Sequence, residues 1–169
     1  MKLKSTDYLN ISDQFTDEEL LIQHSVRQYV DEQLRSIINS HFENGTFPIK
    51  QVPEMAKLGL LGMNLPEKYG GYGLSYLASG LVYQELERCD SGIRSFLSVQ
   101  NALVMYPIFR FGNEKQRMDW LPKLASGKTI GCFGLTEPEF GSNPGGMITR
   151  ANKTDDGYLL NGTKMWITN

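Results

Sequence analysis

The hydrophobic pattern of the chain changes once, near residue 127, and this change limits the folds that the sequence can adopt. Up to that point apolar residues recur at helical spacing, separated by helix-capping and helix-breaking residues. From Lys128 onward the pattern becomes strand-like, and Asp156-Gly157 and Asn161-Gly162 are dipeptides typical of hairpin turns. We therefore expect an α+β chain: an all-α helical bundle domain over residues 1–127, followed over 128–169 by the first strands of a small β domain that is incomplete.

The first part of the chain predicts a series of helices with recognisable starts and stops. Thr16 followed by Glu19 has the spacing of a capping box, and Pro107 is expected to bend or end the helix that precedes it. The helices are predicted over about residues 16–40, 50–58, 75–88, 93–106 and 114–126. Leu121, Leu124 and Trp120 are expected to face the core. The strands are predicted around residues 129–135, 147–153, 158–160 and 164–168.

Composition excludes several classes of partner and site. The net charge of −2 gives no basic field for nucleic acid, and no run of 18 apolar residues predicts a membrane span. The N-terminal residues lack the apolar region of a signal peptide, so a reducing compartment is expected. Cys89 and Cys132 have no CxxC spacing, which predicts two buried thiols and no metal site.

Three separated motifs carry the strongest functional signal: ELERCDSGIRSFLSVQ (85–100), CFGLTEPEFGSNPGG (132–146) and LNGTKMWITN (160–169). In this order they resemble the acyl-CoA dehydrogenase family, and most closely its glutaryl-CoA dehydrogenases. The likeness extends over about residues 14–169. It implies an FAD-dependent oxidoreductase that dehydrogenates an acyl-CoA thioester between its α and β carbons. It also implies that the carboxylate base belongs to a C-terminal helical domain absent from this chain, so that no catalytic residue is present and the chain alone is inactive.

The resemblance places FAD on the second and third motifs. The residues that it assigns to the cofactor are Phe133, Gly134, Leu135, Thr136, Gly141, Ser142, Trp166, Ile167 and Thr168. The Thr136 hydroxyl and nearby backbone groups would bond the pyrimidine end of the flavin, where donors stabilise negative charge. The Thr168 hydroxyl would lie near N5. Phe140 and Asn143 depart from the family's small residue and Asp, and the Phe140 ring is expected either to rotate outward or to crowd the cofactor. Without the family, these residues would be a Gly- and Pro-rich turn followed by a hairpin strand.

The first motif supplies the substrate hypothesis. By resemblance, Arg94 would pair with the distal carboxylate of a dicarboxylic acyl chain, because a guanidinium matches a carboxylate bidentately. The other residues assigned to substrate are Ser95, Ser98, Glu87 and Ser142. From spacing alone, Arg94 could instead be a surface residue or a partner of Asp90. Glu137 is expected to be a structural partner of its loop rather than a base.

These observations lead to one main functional hypothesis and two alternatives. The main one is the N-terminal portion of an enzyme that oxidises glutaryl-CoA or a similar short dicarboxylic acyl-CoA, with or without decarboxylation to crotonyl-CoA. The alternatives are a short-chain monocarboxylic acyl-CoA dehydrogenase and a catalytically inert, truncated helical module. The expected partners are the acyl-CoA substrate, an electron-transfer flavoprotein or similar acceptor, and further copies of the chain in a tetramer. The expected location is the bacterial cytoplasm or, alternatively, the mitochondrial matrix after processing.

Overall fold

The computed structural model describes residues 7–169, and residues 1–6, where the predicted helical domain starts, lie outside the described residues. The described α-helices are α1 Asp17–Tyr29, α2 Ile38–Glu43, α3 Val52–Lys57, α4 Tyr76–Glu87, α5 Ser91–Ser98, α6 Tyr106–Phe111 and α7 Glu114–Ala125. Two π-helical segments, Val30–Leu34 and Val99–Met105, follow α1 and α5. Strands β1 Arg150–Thr154 and β2 Gly157–Asn161 pair antiparallel near the end of the chain. The α+β class is thereby confirmed.

Local capping explains where the helices begin. The Thr16 hydroxyl accepts the Glu19 N–H at 3.2 Å, and the Thr16 N–H donates to the Glu19 carboxylate at 3.0 Å, so the predicted capping box is confirmed. Asn113 and Gln116 make the same reciprocal pair at the start of α7. Asp90 caps α5 by accepting the Ile93 N–H at 2.8 Å. Each cap satisfies backbone donors that the first helical turn leaves without partners.

Two of the predicted helices are not regular α-helices. The helix predicted over 16–40 changes to π geometry at Val30, and the one predicted over 93–106 changes at Val99. A π segment widens the turn and alters which side chains face inward. Single residue types do not predict it. Pro107, which was expected to bend or end the preceding helix, does not end the helical run. It lies in the first turn of α6, which follows the π segment without a break and continues to Phe111.

The core lies within the helical part of the chain. Helix α1 packs on α4, α4 packs on α5, and α7 closes the bundle against α6 and the second π segment. Leu121 and Leu124 are buried as predicted, but Trp120 is 49% exposed, so its assignment to the core was wrong. Trp120 instead lies on the outer face of α7 with Lys123 over its ring. The buried apolar side chains include Val30, Leu34, Met55, Leu61, Met63, Tyr69, Val82, Leu86, Leu97 and Met105.

The strand-like part forms one hairpin within the described residues. The hairpin predicted at Asp156-Gly157 is confirmed, with its loop one residue earlier: Thr154 pairs with Gly157 across Asp155-Asp156, and the register ends with Arg150 opposite Asn161. The strands predicted around 129–135 and 164–168 are wrong, since neither segment has a ladder partner there, and Asn161-Gly162 makes no second hairpin. An extended segment becomes a strand only when a neighbour supplies its hydrogen bonds. Both β1 and β2 are exposed throughout.

The two cysteines are not a buried pair. Cys89, after α4, is half-buried, and desolvation raises the pKa of its thiol above the ordinary value. Cys132 is exposed. The prediction of two buried thiols was therefore wrong for Cys132.

Candidate functional site

Arg94 on α5 lies against the end of α4. Its Nε donates to the Glu87 carboxylate at 2.5 Å, and its Nη1 donates to the Ser98 hydroxyl at 3.5 Å. The pKa of Glu87 is lowered below its ordinary value, chiefly by the hydrogen bond from Arg94 and secondly by the one from Ser91. Arg94 therefore pairs with Glu87 and not with Asp90, whose carboxylate caps α5.

The guanidinium of Arg94 keeps free bonding capacity. Its side chain is 35% exposed, and its Nη2 group makes no hydrogen bond within residues 7–169. Ser95 is half-buried beside it, and its carbonyl accepts the Ser98 hydroxyl at 2.9 Å. The structure thus brings Arg94, Glu87, Ser95 and Ser98 together at one face of α5. The two N–H bonds of the Arg94 Nη2 group, whose orientation is set by the bond to Glu87, remain open to a further acceptor.

Glu137 organises the central loop, by which we mean residues 132–146. Its carboxylate accepts the Ile148 N–H at 2.7 Å, the Thr149 N–H at 3.0 Å and the Lys164 ammonium at 2.9 Å. Lys164 also donates to the Leu135 carbonyl at 2.9 Å, which joins the second motif to the third. The expectation that Glu137 is a structural partner of its loop is confirmed.

The same contacts control the charge of Glu137. The neighbouring Thr149 side chain, the Ile148 N–H and Lys164 all favour the carboxylate, and together they outweigh burial and lower its pKa to about 2. The Thr149 hydroxyl is buried and makes no hydrogen bond of ordinary geometry, so we attribute most of this effect to the N–H groups and Lys164. Glu137 is a fixed negative charge at neutral pH.

The first half of the central loop presents unused backbone donors. Within the described residues, the N–H groups from Cys132 to Thr136 make no hydrogen bond, and Phe133 and Leu135 are 41% and 36% exposed. A run of free donors flanked by exposed apolar side chains suits a flat ring that has a polar edge and an apolar edge, as the flavin implied by the resemblance has. The residues present therefore fit that group.

The second half of the loop contains the two residues that depart from the family pattern. The Phe140 ring lies against Gly146, so closely that a Cβ there would be 2.5 Å from its Cε1 atom. The ring thus packs within its own turn, beside Asn143, and does not rotate outward. Gly141 has open space around it, and Ser142 is exposed and makes no hydrogen bond within the described residues.

The third motif returns to the start of the central loop. Trp166 is 84% exposed at a φ of 59°, a left-handed conformation that is uncommon for a bulky residue, while Ile167 is half-buried and Thr168 exposed. The Asn169 side-chain amide donates to the carbonyls of Gly131 at 3.2 Å and Phe96 at 3.4 Å. All three motifs therefore meet at Gly131, since Phe96 lies two residues beyond Arg94.

Sequence reasoning missed two residues of this region, Gln100 and Asn101. Gln100 is fully buried and accepts the Gly131 N–H at 3.0 Å, whereas Asn101 bonds the Gly62 N–H and the Leu60 carbonyl. The signal was present in the sequence as two adjacent amides inside the apolar run VQNALVM. Buried amides need partners, so such a pair indicates contacts with distant backbone.

The described residues contain neither a metal-binding group nor a membrane-spanning helix. Between residues 7 and 169, no group of three or more His, Cys, Asp or Glu side chains is placed to hold a metal ion. In the same part of the chain, no helix is both long and apolar enough to cross a membrane.

The chain resembles known proteins over most of its length. The family profile described as "Acyl-CoA dehydrogenase, N-terminal domain" matches residues 16–128. The chain is 35% identical to the short-chain specific acyl-CoA dehydrogenase of rat mitochondria, over 99% of this chain and 42% of that protein. It therefore spans less than half the length of this curated relative.

Solved structures with the same fold include the following two. A glutaryl-CoA dehydrogenase from Mycobacterium smegmatis in complex with FADH2 is 48% identical, with a TM-score of 0.90, over 94% of this chain and 41% of that one. A structure described as the electron transferring flavoprotein of Acidaminococcus fermentans is 32% identical, with a TM-score of 0.87, over 90% and 40%. From the profile match, these identities and the shared fold, we conclude that the chain belongs to the acyl-CoA dehydrogenase family.

Proposed function

We propose that this chain forms the acyl-pocket and flavin-loop portion of an FAD-dependent acyl-CoA dehydrogenase whose substrate is glutaryl-CoA or a similar short dicarboxylic acyl-CoA. The observation that carries the proposal is the half-exposed Arg94, oriented by Glu87 and Ser98 and retaining free donors on Nη2. Residues 1–127 would be the helical domain, and residues 128–169 the beginning of the middle β domain. The 48% identity to a glutaryl-CoA dehydrogenase supports this choice within the family.

Arg94 suits a carboxylate at the end of an acyl chain. Its Nη2 group can donate to a second carboxylate while Nε stays on Glu87, and bonds between ionised groups are roughly twice as strong as neutral ones. Because Glu87 already offsets part of the Arg94 charge, an acyl chain without a distal carboxylate would not leave an isolated charge in the pocket. The pair therefore permits a preference for dicarboxylates without an absolute requirement.

The central loop and the third motif would hold the cofactor. The residues concerned are Phe133, Gly134, Leu135, Thr136, Gly141, Ser142, Trp166, Ile167 and Thr168. Free N–H groups from Cys132 to Thr136 would bond the polar edge of the ring, and Phe133 and Leu135 offer apolar contact. When bound, FAD supplies the acceptor for the β-hydride.

Neither carboxylate of the site, Glu87 or Glu137, is free to remove the α-proton. Glu137 is nearest to the cofactor residues, but three donors hold its carboxylate and lower its pKa to about 2. A general base is effective when its pKa is close to the working pH, so Glu137 is unsuited to that task. We propose that a carboxylate outside this chain acts as the base.

The partners follow from the same proposal. An electron-transfer flavoprotein would reoxidise the flavin, and one of the solved structures that share this fold is described as such a protein. The complete enzyme would be a tetramer, with or without the decarboxylation of its product to crotonyl-CoA. Its location would be the bacterial cytoplasm, as a bacterial relative suggests, or alternatively the mitochondrial matrix, since the rat relative is named as mitochondrial.

The test compares two substrates in the full-length protein. Arg94→Ala is expected to lower kcat/KM for glutaryl-CoA about 100-fold, as the loss of two charge-assisted hydrogen bonds predicts, and to change that for butyryl-CoA little. Arg110→Ala is the control: Arg110 is an exposed residue of α6, and its replacement should change neither value. Unchanged turnover of glutaryl-CoA by Arg94→Ala would refute the dicarboxylate assignment.

The short-chain monocarboxylic enzyme is the second candidate. The Arg94–Glu87 pair favours it, because an arginine already neutralised by a protein carboxylate needs no substrate charge. Under this alternative, wild type would turn over butyryl-CoA faster than glutaryl-CoA. An inert helical module would bind no FAD and turn over neither substrate.

A further inference from the structure

Gly131 is held from three sides where the helical part of the chain meets the central loop. Its N–H donates to the Gln100 Oε1 atom at 3.0 Å, and its carbonyl accepts the Asn169 amide at 3.2 Å. On its third side lies Val104, so close that a Cβ on Gly131 would be 2.5 Å from a Val104 Cγ atom. Gly131 therefore has little freedom to shift along or away from the helix.

Gln100 provides one of these restraints and also holds the chain just before Gly131. It is fully buried in the π segment, and its Nε2 donates to the Leu124 carbonyl at 3.1 Å and the Thr129 carbonyl at 3.0 Å. Both amide hydrogens and the carbonyl oxygen of Gln100 are thus occupied, by three backbone groups that run from the end of α7 to Gly131. A buried amide with all its hydrogen bonds made is a rigid connection, because leaving any of them unmade is costly.

The connection joins the two halves of the proposed site. Gln100 lies six residues after Arg94 on the same continuous helical run, and Gly131 lies two residues before Phe133. The free backbone donors that would meet the flavin begin at Cys132, immediately after the restrained glycine. A shift of Gly131 would therefore move these donors relative to the helix that carries Arg94.

We propose that Gln100 is a positioning residue, which through Gly131 sets the distance and orientation of the flavin-binding backbone from Cys132 to Thr136 relative to the acyl-pocket helix α5. This inference rests on the proposed function for the identity of the ligand. Gln100 itself would touch neither cofactor nor substrate.

Asn101 is a matched control for a purely structural role. It is the next residue of the same π segment, it is buried, and its amide also bonds two backbone groups, the Gly62 N–H at 2.6 Å and the Leu60 carbonyl at 2.9 Å. Those partners lie in the loop after α3 and not next to the central loop. Replacing either amide removes comparable buried hydrogen bonds, but only Gln100 bonds to Gly131.

The experiment compares Gln100→Met and Asn101→Leu in the full-length protein. For Gln100→Met we expect an FAD dissociation constant raised about tenfold, as the loss of a buried hydrogen bond predicts. We also expect faster amide hydrogen exchange over residues 131–136 in the FAD-free protein. For Asn101→Leu we expect a comparable loss of thermal stability with both of these values near wild type.

A second pair of variants tests the contact with Val104. Gly131→Ala places a methyl group against the stiff, branched Val104 side chain and is expected to weaken FAD binding and speed exchange over residues 131–136. Val104→Ala in the same chain removes the Cγ atoms and should restore much of both values. Absence of rescue would show that Gly131→Ala acts through something other than its contact with Val104.

The outcomes separate this inference from the proposed function. If wild type binds FAD, and Gln100→Met changes FAD affinity and exchange no more than Asn101→Leu does, the positioning role is refuted and the proposed function stands. If wild type takes up no FAD, the proposed function and the flavin role of Gln100 are both refuted.

Discussion

The ion pairs of Glu85 with Arg27 and Arg88 lead to a prediction about which partner contributes more to stability. Glu85 on α4 is 2% exposed and accepts Arg27 at 2.6 and 3.1 Å and Arg88 at 3.0 Å. The arginines are much more accessible, with 51% of the Arg27 side chain and 35% of the Arg88 side chain exposed. Removing an exposed arginine leaves a buried charge short of partners, whereas removing Glu85 lets both arginines regain water.

The magnitudes follow from these contacts. Arg27→Met removes two of the three arginine hydrogen bonds to a buried carboxylate, and we expect it to lower the free energy of unfolding by about 3 kcal/mol. Glu85→Leu removes the buried charge and adds apolar surface to the core, so its cost should be only about 1 kcal/mol. The double variant should be more stable than Arg27→Met alone.

Chemical denaturation of the full-length protein measures these differences, with equal m-values as the condition for comparison. Arg35→Met is the control, because Arg35 makes an exposed pair with Asp31 at 3.4 Å and its loss should cost less than about 1 kcal/mol. The reasoning is refuted if Glu85→Leu destabilises the protein as much as Arg27→Met does.

Two further predictions concern a titrating group and a helix cap. The pKa of Glu137 is lowered from 4.5 to about 2, so its ionised form stabilises the fold fully above about pH 5, and this contribution is lost as the pH falls towards 2. The stability difference between wild type and Glu137→Gln, followed by thermal unfolding against pH, should therefore shrink over that interval; a constant difference would contradict the assignment. Asn113→Ala should destabilise the protein by about 1 kcal/mol and Asn113→Ser by much less, since Ser also caps; equal losses by calorimetry would show that the cap is unimportant.

Features that depend on neighbouring residues could be predicted from the sequence. The Thr16 capping box and the hairpin near Asp156-Gly157 are confirmed because each is decided within four or five residues. The family and its α+β fold were also recognisable, since three motifs in a fixed order carry far more information than any one of them.

Features that depend on distant contacts could not be predicted. The segment around 129–135 has strand-like residues, but the Gly131 N–H bonds Gln100, which lies 31 residues earlier, and no strand lies beside it in the described chain. The π segment at Val99 likewise depends on tertiary packing, and it carries the two amides that the sequence analysis overlooked. From spacing alone Arg94 could pair with Asp90. In the structure Asp90 caps α5 and Arg94 pairs with Glu87.

The hairpin also has a consequence for self-association. In a two-stranded ribbon each strand has one outer edge with free backbone groups, which can pair with another chain. Strand β1 carries Arg150 and Lys153, whose charges discourage such pairing, whereas β2 has no charged residue and exposes Tyr158, Leu159 and Leu160. We therefore expect any strand-to-strand aggregation of this polypeptide to start at the outer edge of β2. A lysine in place of Leu159 would be the simplest way to suppress it.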